Sequence, residues 1–248
     1  MEKLYSRPSA INTAITKYCP GCMHGTITKI TAQVIDELEL REKTIAVLPV
    51  GCGTLGVLYW NLDLVCSAHG RAPAVATGVK RSRPDLTVFT YQGDGDLAAI
   101  GFSEIMHSAN RGENFTTIFV NNSIYGMTGG QMAPTTLVGQ KSTTTPNGRN
   151  AQTEGYPIKM CEIISQLDAP AYVARFAVNT PANINRAKAG IKKAFELQLA
   201  GKGFSFVEIL SNCPTNWGMS PLQTLEYIKN QTLAQFPLGE FKTPKEDI

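Results

Sequence analysis

Apolar residues along the chain follow two spacings, one typical of amphipathic helices and one typical of buried strands. Over residues 23–40 they recur at helical spacing, which predicts a helix, and the apolar run TIAVLPV at 44–50 predicts a buried strand. Further helices are predicted over 70–83, 97–111, 158–167, 181–200 and about 221–234, and further strands over 86–92, 115–120, 171–177 and 204–210. This alternation predicts an α/β fold, a mostly parallel sheet with helices on both faces.

Three local features refine this prediction. Thr180 and Pro181 have the residue types of a helix cap and a first helical position. Residues 123–157 are rich in Gly, Thr, Pro and Asn and show little periodicity, so we expect a long functional or mobile loop there. No internal repeat or linker interrupts the chain. We therefore interpret residues 1–248 as a single domain with an N-terminal arm and a polar C-terminal tail.

The composition argues against several classes of protein. The chain has 248 residues and a formal net charge of +3, with Lys and Arg scattered, so a nucleic-acid partner is not expected. No apolar run reaches the roughly 18 residues of a membrane span, and the N-terminus lacks the apolar core of a signal peptide. A cytoplasmic protein without a membrane partner is therefore expected. In a reducing compartment, its six cysteines favour metal binding, redox chemistry or burial over disulfides.

Four unusual sequences follow predicted strands. They are GCG at 51–53, GDGD at 93–96, NN at 121–122 and SNCP at 211–214. Ligands of parallel α/β sheets bind outside the carboxyl ends of the strands. We therefore expect one composite site that uses all four sequences.

GDGD and NN together suggest a diphosphate held through a metal ion. The glycines let the backbone approach a phosphate, and the start of the following helix favours an anion. A bare carboxylate beside a diphosphate is repulsive, and a divalent cation removes that conflict. Asp94 and Asn122, 28 positions apart, carry oxygen ligands of the kind that Mg²⁺ prefers. Each motif alone is also typical of a tight turn, and their joint occurrence favours the metal site.

Taken together, the motifs resemble those of a known enzyme family. The matching stretches are YCPGCMHG at 18–25, HGRAPAVATGVK at 69–80, YQGDGD at 91–96, NNSIYGMTGGQMAPTT at 121–136 and SNCPTNW at 211–217. In this order they resemble the β subunit of 2-oxoacid:ferredoxin oxidoreductases, of the type that acts on 2-oxoglutarate or 2-oxoisovalerate. The resemblance implies the thiamine diphosphate-binding fold.

The resemblance also implies how the cofactor is held. Magnesium would be bound by Asp94, Asn122 and the backbone carbonyl of Ile124, and Thr128 could donate a hydrogen bond to a phosphate oxygen. The full expected set of thiamine diphosphate contacts is Gly53, Thr54, His69, Gly70, Gly93, Asp94, Gly95, Asp96, Asn122, Ile124, Tyr125, Gly126, Met127 and Thr128.

Four cysteines have unusual surroundings. Cys19 and Cys22 form a CxxC motif, which suits a soft metal, a redox dithiol or a zinc knuckle, while Cys52 and Cys213 follow strand ends. The resemblance implies that all four hold one four-iron, four-sulfur (4Fe-4S) cluster, which thiolate ligands suit. Structural zinc with the same ligands is the alternative.

His69 and Arg71 are the candidate catalytic residues. His69 is expected to contact the carbonyl or carboxylate of the substrate, and Arg71 to bind a carboxylate or phosphate or else to form a structural ion pair. His24 is expected to pack or cap near a helix start, and His107 to be structural. Core packing is expected for the two remaining cysteines, Cys66 and Cys161.

The activity that the resemblance implies is the coenzyme A-dependent oxidative decarboxylation of a 2-oxoacid, with electrons passing through the cluster to ferredoxin. In this family a glutamate that activates the cofactor lies on a partner α subunit, so the active site would lie at an α/β interface. Further γ and δ subunits are possible partners. Two other functions stay open, a non-redox thiamine diphosphate decarboxylase or synthase subunit and a zinc-binding, non-catalytic subunit.

Overall fold

The centre of the molecule is a seven-stranded sheet in a computed structural model that describes residues 6–244. Its strands are β1 (Thr44–Leu48), β2 (Asp63–Cys66), β3 (Thr87–Gly93), β4 (Thr116–Asn121), β7 (Tyr172–Ala177), β8 (Ser205–Leu210) and β9 (Gly239–Lys242), and a separate hairpin contains β5 (Ile124–Tyr125) and β6 (Gln131–Met132). The order across the sheet is β2-β1-β3-β4-β8-β7-β9, and every pairing is parallel except that of β9 with β7. This confirms the predicted mostly parallel α/β fold.

Helices cover both faces of the sheet, as predicted. They are α1 (His24–Glu37), α2 (Ala72–Ser82), α3 (Phe102–Asn110), α4 (Ala151–Glu154), α5 (Met160–Ser165), α6 (Pro181–Leu199), α7 (Pro214–Trp217), α8 (Pro221–Tyr227) and α9 (Leu233–Gln235). Helices α1 and α6 pack on one face, and α2, α3 and α5 on the other. Along β3 the side chains alternate accordingly: Phe89 and Tyr91 join the first core and Val88 joins the second.

Local signals located most helix ends correctly. The Thr180 side chain accepts a hydrogen bond from Asn183 N at 3.2 Å, and Pro181 begins α6, as predicted. The helix predicted over 97–111 is present but interrupted, because Gly95–Ile100 form a π-helix and α3 begins only after Gly101. Gly101 is held close to the backbone of Gly70, where a Cβ would lie 2.5 Å from the Gly70 carbonyl oxygen. This contact between two backbones explains the interruption.

Two strands of the seven-stranded sheet, β2 and β9, were not predicted, nor were β5 and β6 of the hairpin. Strand β2 is a four-residue edge strand that pairs only with β1, and β9 lies where a polar tail was expected. Edge strands are short and half exposed, so neither carries a strong apolar pattern. Residues 245–248 and 1–5, which include the ends of the expected tail and arm, lie outside the described residues. Within residues 6–244, no helix has the length and apolar character needed to cross a membrane.

The predicted loop at 123–157 is largely irregular but well packed. Apart from β5, β6 and α4, it has little regular structure. The buried side chain of Arg149 holds it together, since its guanidinium donates hydrogen bonds to five backbone carbonyl oxygens at 2.6–3.0 Å. Those carbonyls belong to Pro134, Thr136, Glu154, Gly155 and Tyr156. The loop is thus a folded segment, and one cation replaces the backbone pairing that it lacks.

Gln198 on α6 connects that helix to the sheet through hydrogen bonds, and replacing it tests their contribution to stability. Its amide nitrogen donates to the Val88 carbonyl and the Thr116 hydroxyl, both at 2.9 Å, and its oxygen accepts from Val88 N at 2.7 Å. Replacing Gln198 by Leu leaves buried backbone groups unpaired, so we expect the free energy of unfolding to fall by roughly 2 kcal/mol or more. Urea denaturation measures this change. Gln152→Leu at an exposed position is the control, and equal losses in the two variants would contradict the role of Gln198.

Candidate functional site

A cleft lies at the carboxyl ends of β1, β3 and β4, where the GCG, GDGD and NN sequences meet, and SNCP follows the adjacent strand β8. It is lined by His24, Val50, Gly51, Cys52, Gly53, His69, Gly93, Asp94, Gly95, Asp96, Asn122, Ile124, Tyr125, Gly126, Met127 and Thr128. All predicted cofactor contacts except Thr54 and Gly70 therefore line one cleft. Among the described residues, no lysine or arginine lines it.

Asp94 is buried at the base of this cleft. Its carboxylate accepts hydrogen bonds from Gly95 N at 2.9 Å, Thr135 Oγ1 at 2.8 Å and Ile124 N at 3.1 Å. Burial raises the pKa of Asp94 to about 7, although these hydrogen bonds oppose the rise. A buried carboxylate without a neighbouring cation in the cleft is a suitable ligand for a hard metal ion. Sequence reasoning missed Thr135, which lies inside one of the matching stretches.

The two asparagines that end β4 have different surroundings. Asn122 lines the cleft, and its Oδ1 lies 3.3 Å from Ile124 N, the same amide that donates to Asp94. The oxygens of Asp94 and Asn122 therefore converge on one point. Asn121 points the other way and donates to Glu208 Oε1 at 2.8 Å. The carbonyl of Asn122 accepts from Trp217 Nε1 at 3.1 Å, a contact that sequence reasoning did not identify.

Asp96, the second aspartate of GDGD, fixes the neighbouring loops. Its Oδ1 accepts from Gly70 N at 2.8 Å and lies 2.6 Å from His69 Nδ1. Its Oδ2 accepts from Gln92 Nε2 at 2.6 Å, and Val50 N donates more weakly to Oδ1 at 3.4 Å. Most of its acceptor capacity is therefore used within the protein. Asp96 orients His69 in the cleft, while a direct contact with a cofactor stays a prediction.

The segment 125–131 closes over the cleft. A Cβ on Gly95 would lie 2.2 Å from Cε1 of Tyr125, so glycine is required for the aromatic ring to sit there. Gly129 and Gly130 have φ of +108° and +88°, which favours glycine at both positions. The Thr128 hydroxyl donates to the side chain of Gln131. It would have to leave this partner to reach a phosphate.

The four predicted cysteines lie near one another beside the cleft. A Cβ on Gly126 would lie 3.2 Å from Cys52 Sγ and 3.7 Å from Cys213 Sγ. The pKa of the Cys22 thiol is raised to about 12, mainly by burial and also by the charges of Cys213, Cys52 and Cys19. Within the described chain, no three His, Cys, Asp or Glu side chains are close enough to hold a single metal ion.

One side chain links the cysteines to the closing segment. Asn216 Nδ2 lies 3.3 Å from Cys213 Sγ and donates to the Gly126 carbonyl at 2.7 Å. Sequence reasoning missed Asn216 as it missed Trp217. Both belong to the matching stretch SNCPTNW, so the motif itself was the available signal.

Other predicted residues lie outside the cleft. Thr54 donates its hydroxyl to the Pro49 carbonyl, and Gly70 packs on the backbone at Ile100 and Gly101. Arg71 forms an ion pair with Glu104, which matches the structural alternative.

Of the predictions for the remaining histidines and cysteines, one is wrong. His24 is buried, its Nδ1 lies 2.8 Å from Tyr91 Oη, and it packs as predicted without capping α1. His107 lies exposed on α3, and Cys161 is buried as predicted. Cys66 is exposed, so its predicted core role is wrong, because it ends an edge strand whose outer side has no neighbour.

Asp96 provides a test of the arrangement. Three of its contacts, Gly70 N, Val50 N and Gln92 Nε2, donate to it, and an asparagine has one accepting oxygen where the carboxylate has two. We expect Asp96→Asn to lower the free energy of unfolding by about 1–3 kcal/mol, since a buried donor loses its acceptor. Asp85→Asn removes an exposed partner of Arg83 and should cost less than about 1 kcal/mol. Thermal unfolding compares the two variants, and similar losses would argue against the role of Asp96.

Comparisons with known proteins agree with this geometry. A family model described as the thiamine pyrophosphate enzyme C-terminal TPP binding domain matches residues 50–209. The ketoisovalerate oxidoreductase subunit VorA of Methanothermobacter thermautotrophicus is 44% identical over 242 residues, which are 98% of this chain and 51% of that protein. This chain thus spans about half the length of VorA.

Two further relatives are matched over more of their own length. The 2-oxoglutarate synthase subunit KorB of Methanocaldococcus jannaschii is 38% identical over 223 residues, 87% of this chain and 78% of that protein. A solved structure of 2-oxoglutarate:ferredoxin oxidoreductase from Magnetococcus marinus aligns with a TM-score of 0.78 and 25% identity, over 98% of this chain and 87% of the other. The chain therefore belongs to the thiamine pyrophosphate-binding family of 2-oxoacid:ferredoxin oxidoreductase β subunits.

Proposed function

We propose that this chain is the catalytic β subunit of a 2-oxoacid:ferredoxin oxidoreductase. The complex would convert a 2-oxoacid and coenzyme A into an acyl-CoA and CO₂, with the electrons passing to ferredoxin. One observation carries the proposal: the oxygens of Asp94 and Asn122 converge in a cleft that Cys52 also lines. A cofactor held there would lie next to a set of thiols that could hold an electron-accepting cluster.

The residues of the cleft fit magnesium and thiamine diphosphate. Asp94, Asn122 and the Ile124 carbonyl would hold the ion, which neutralises both the buried carboxylate and the diphosphate. The fit rests on the partners of Asp94: its carboxylate is buried, and its described hydrogen-bond partners are two backbone amides and a hydroxyl, with no cation among them. When bound, the thiazolium ring supplies an electron sink for decarboxylation.

The four thiols fit an iron–sulfur cluster better than a zinc ion. Cys19, Cys22, Cys52 and Cys213 would be the ligands. They are near enough for their charges to influence one another. Four thiolates, one on each iron, are the ligand set of a 4Fe-4S cluster. It would supply one-electron transfer, which zinc does not.

Several side chains of this chain have specific roles in the proposed reaction. Asp96 Oδ1 lies 2.6 Å from Nδ1 of His69, which leaves Nε2 as the ring nitrogen for the carbonyl or carboxylate of the substrate. Tyr125 and Met127 shield the cleft from water on one side. The Asn216 amide donates toward Cys213 Sγ, and hydrogen bonds to cluster sulfurs tune the reduction potential.

We propose that a partner subunit completes the site. Val50 and Met127 at the cleft are 41% and 49% exposed, which is typical of a surface that another chain covers. A partner α subunit would supply the remaining catalytic groups, and coenzyme A would enter between the chains. The Magnetococcus marinus structure has 2-oxoglutarate, coenzyme A and succinyl-CoA bound. We also propose that residues 1–248 form a single domain and that the protein is cytoplasmic. Further γ and δ subunits could join the complex.

We infer that a branched-chain 2-oxoacid is the preferred substrate. This preference rests on sequence identity, which is 44% to the ketoisovalerate oxidoreductase subunit and 38% to the 2-oxoglutarate synthase subunit. The resemblance to 2-oxoglutarate subunits keeps 2-oxoglutarate as the second candidate.

Assays of the complex purified with its partner chains test the activity. We expect anaerobic, coenzyme A-dependent reduction of ferredoxin or a viologen, fastest with 3-methyl-2-oxobutanoate in a panel with 2-oxoglutarate and pyruvate. This chain alone should give no turnover. A faster rate with 2-oxoglutarate would contradict the substrate preference, and no reduction with any 2-oxoacid would contradict the function.

Cysteine variants test the proposed cluster. Cys213→Ser removes a proposed ligand, so we expect protein purified without oxygen to lose most of its iron and its broad absorbance near 400 nm. Cys66→Ser alters an exposed cysteine outside the site and should keep both. Iron analysis and absorbance are the measurements. A colourless wild-type protein that contains zinc would favour the alternative, a zinc-binding subunit.

A further inference from the structure

A buried ion pair lies behind the cleft. Arg175 on β7 and Glu208 on β8 are both fully buried, and Arg175 Nε donates to Glu208 Oε2 at 2.8 Å. The other nitrogens of this guanidinium donate to Glu162, which is partly exposed. A buried ion pair is weak evidence for stability, since apolar side chains of similar size often serve as well. Glu208 has a further polar contact, which indicates another role.

The second oxygen of Glu208 connects this pair to the asparagines. Glu208 Oε1 accepts from Asn121 Nδ2 at 2.8 Å, and Asn121 Oδ1 accepts from Ser123 N at 3.1 Å. Arg175 can only donate and an ionised Glu208 can only accept. The carboxylate therefore dictates that the Asn121 amide presents its nitrogen to Glu208 and its oxygen to Ser123. With the amide turned over, its NH₂ group would face the Ser123 N–H.

The backbone at Ser123 needs this support. Ser123 has φ of +60°, a left-handed conformation that is uncommon for a serine. The turn brings Ile124 N within 3.1 Å of Asp94 Oδ2 and 3.3 Å of Asn122 Oδ1. If the Asn121 oxygen no longer held Ser123 N, the turn would no longer place Ile124 N between the oxygens of Asp94 and Asn122, the two proposed magnesium ligands.

We propose that Glu208, held by Arg175, is a positioning residue for the magnesium and diphosphate site. It fixes the amide orientation of Asn121, and Asn121 in turn fixes the Ser123 turn that presents Asn122 and Ile124. This inference rests on the proposed function. It adds residues of β7 and β8 to the site, although they do not line the cleft. It also gives Asn121 a role distinct from that of Asn122.

The test compares the two carboxylates that share Arg175. The amide introduced by Glu208→Gln can accept from only one of the two neighbouring donors, so its own NH₂ group faces the other. Glu162→Gln perturbs the same arginine without touching Asn121 and is the matched control. Both variants of the complex with its partner chains should lose thermal stability. Loss of a group that orients metal ligands typically weakens metal binding by about 10–100-fold.

Equilibrium dialysis of thiamine diphosphate at a fixed Mg²⁺ concentration gives the first readout. We expect Glu208→Gln to weaken binding by at least about tenfold and Glu162→Gln to leave it within about twofold of wild type. Hydrogen exchange of the peptide that contains residues 121–125, in the complex without cofactor, gives the second. It should accelerate in Glu208→Gln only.

A compensating double variant distinguishes a positioning role of Glu208 from a general loss of structure. In Asn121→Asp alone, two carboxylates face each other and binding should weaken. In the double variant Asn121→Asp with Glu208→Gln, the new amide at position 208 accepts from Arg175 and donates to the new carboxylate at position 121. That carboxylate also accepts from Ser123 N. Every hydrogen bond is restored, so affinity should recover most of the loss, a non-additive result.

Three results would overturn the proposal. They are affinity unchanged in Glu208→Gln despite lower stability, equal losses of affinity in Glu208→Gln and Glu162→Gln, and a double variant with the sum of the single losses. A wild-type complex that binds no thiamine diphosphate with Mg²⁺ would overturn the proposed function and the positioning role with it. Normal binding by wild type together with any of the three results contradicts the positioning role alone.

Discussion

The parallel register of β1, β3, β4 and β8 is the constraint on which the site depends. These strands are neighbours and run in one direction, so the residues that follow them collect at a single edge of the sheet. Helices bury both faces of the sheet, which makes it a rigid support. Short polar side chains and backbone groups can therefore meet in the cleft without long, mobile side chains.

Three buried carboxylates near this edge of the sheet differ in their hydrogen-bond partners and therefore in their roles. Asp94 accepts from amides and a hydroxyl but has no cation beside it, so its surroundings suit a metal ion. Asp96, two residues later, has donors around it and holds loops in place. Glu208 is paired with Arg175 and orients an amide. The same chemical group thus binds, anchors or orients because the donors around it differ.

Much of the architecture could be predicted because its signals are local. The cap at Thr180, the apolar strands and the position of the special sequences after strand ends depend on neighbours in sequence. The edge strand β2, the interrupted helix before α3 and the exposure of Cys66 depend on contacts between distant segments. Arg149 is the clearest case, since nothing in its local sequence indicates that it organises a loop through five carbonyls.

Residue types and their spacing were enough to predict the α/β class, the motifs near the strand ends and the resemblance to one enzyme family. The roles of the polar side chains became clear only in the folded structure, in which Asp94 has no cation among its described partners, Asp96 lies beside His69, and Asn121 faces Glu208 and not the cleft. Those roles depend on which donors surround each oxygen. Donors come from strands and loops far apart in the chain, so hydrogen-bond partners are known only once the fold has brought them together.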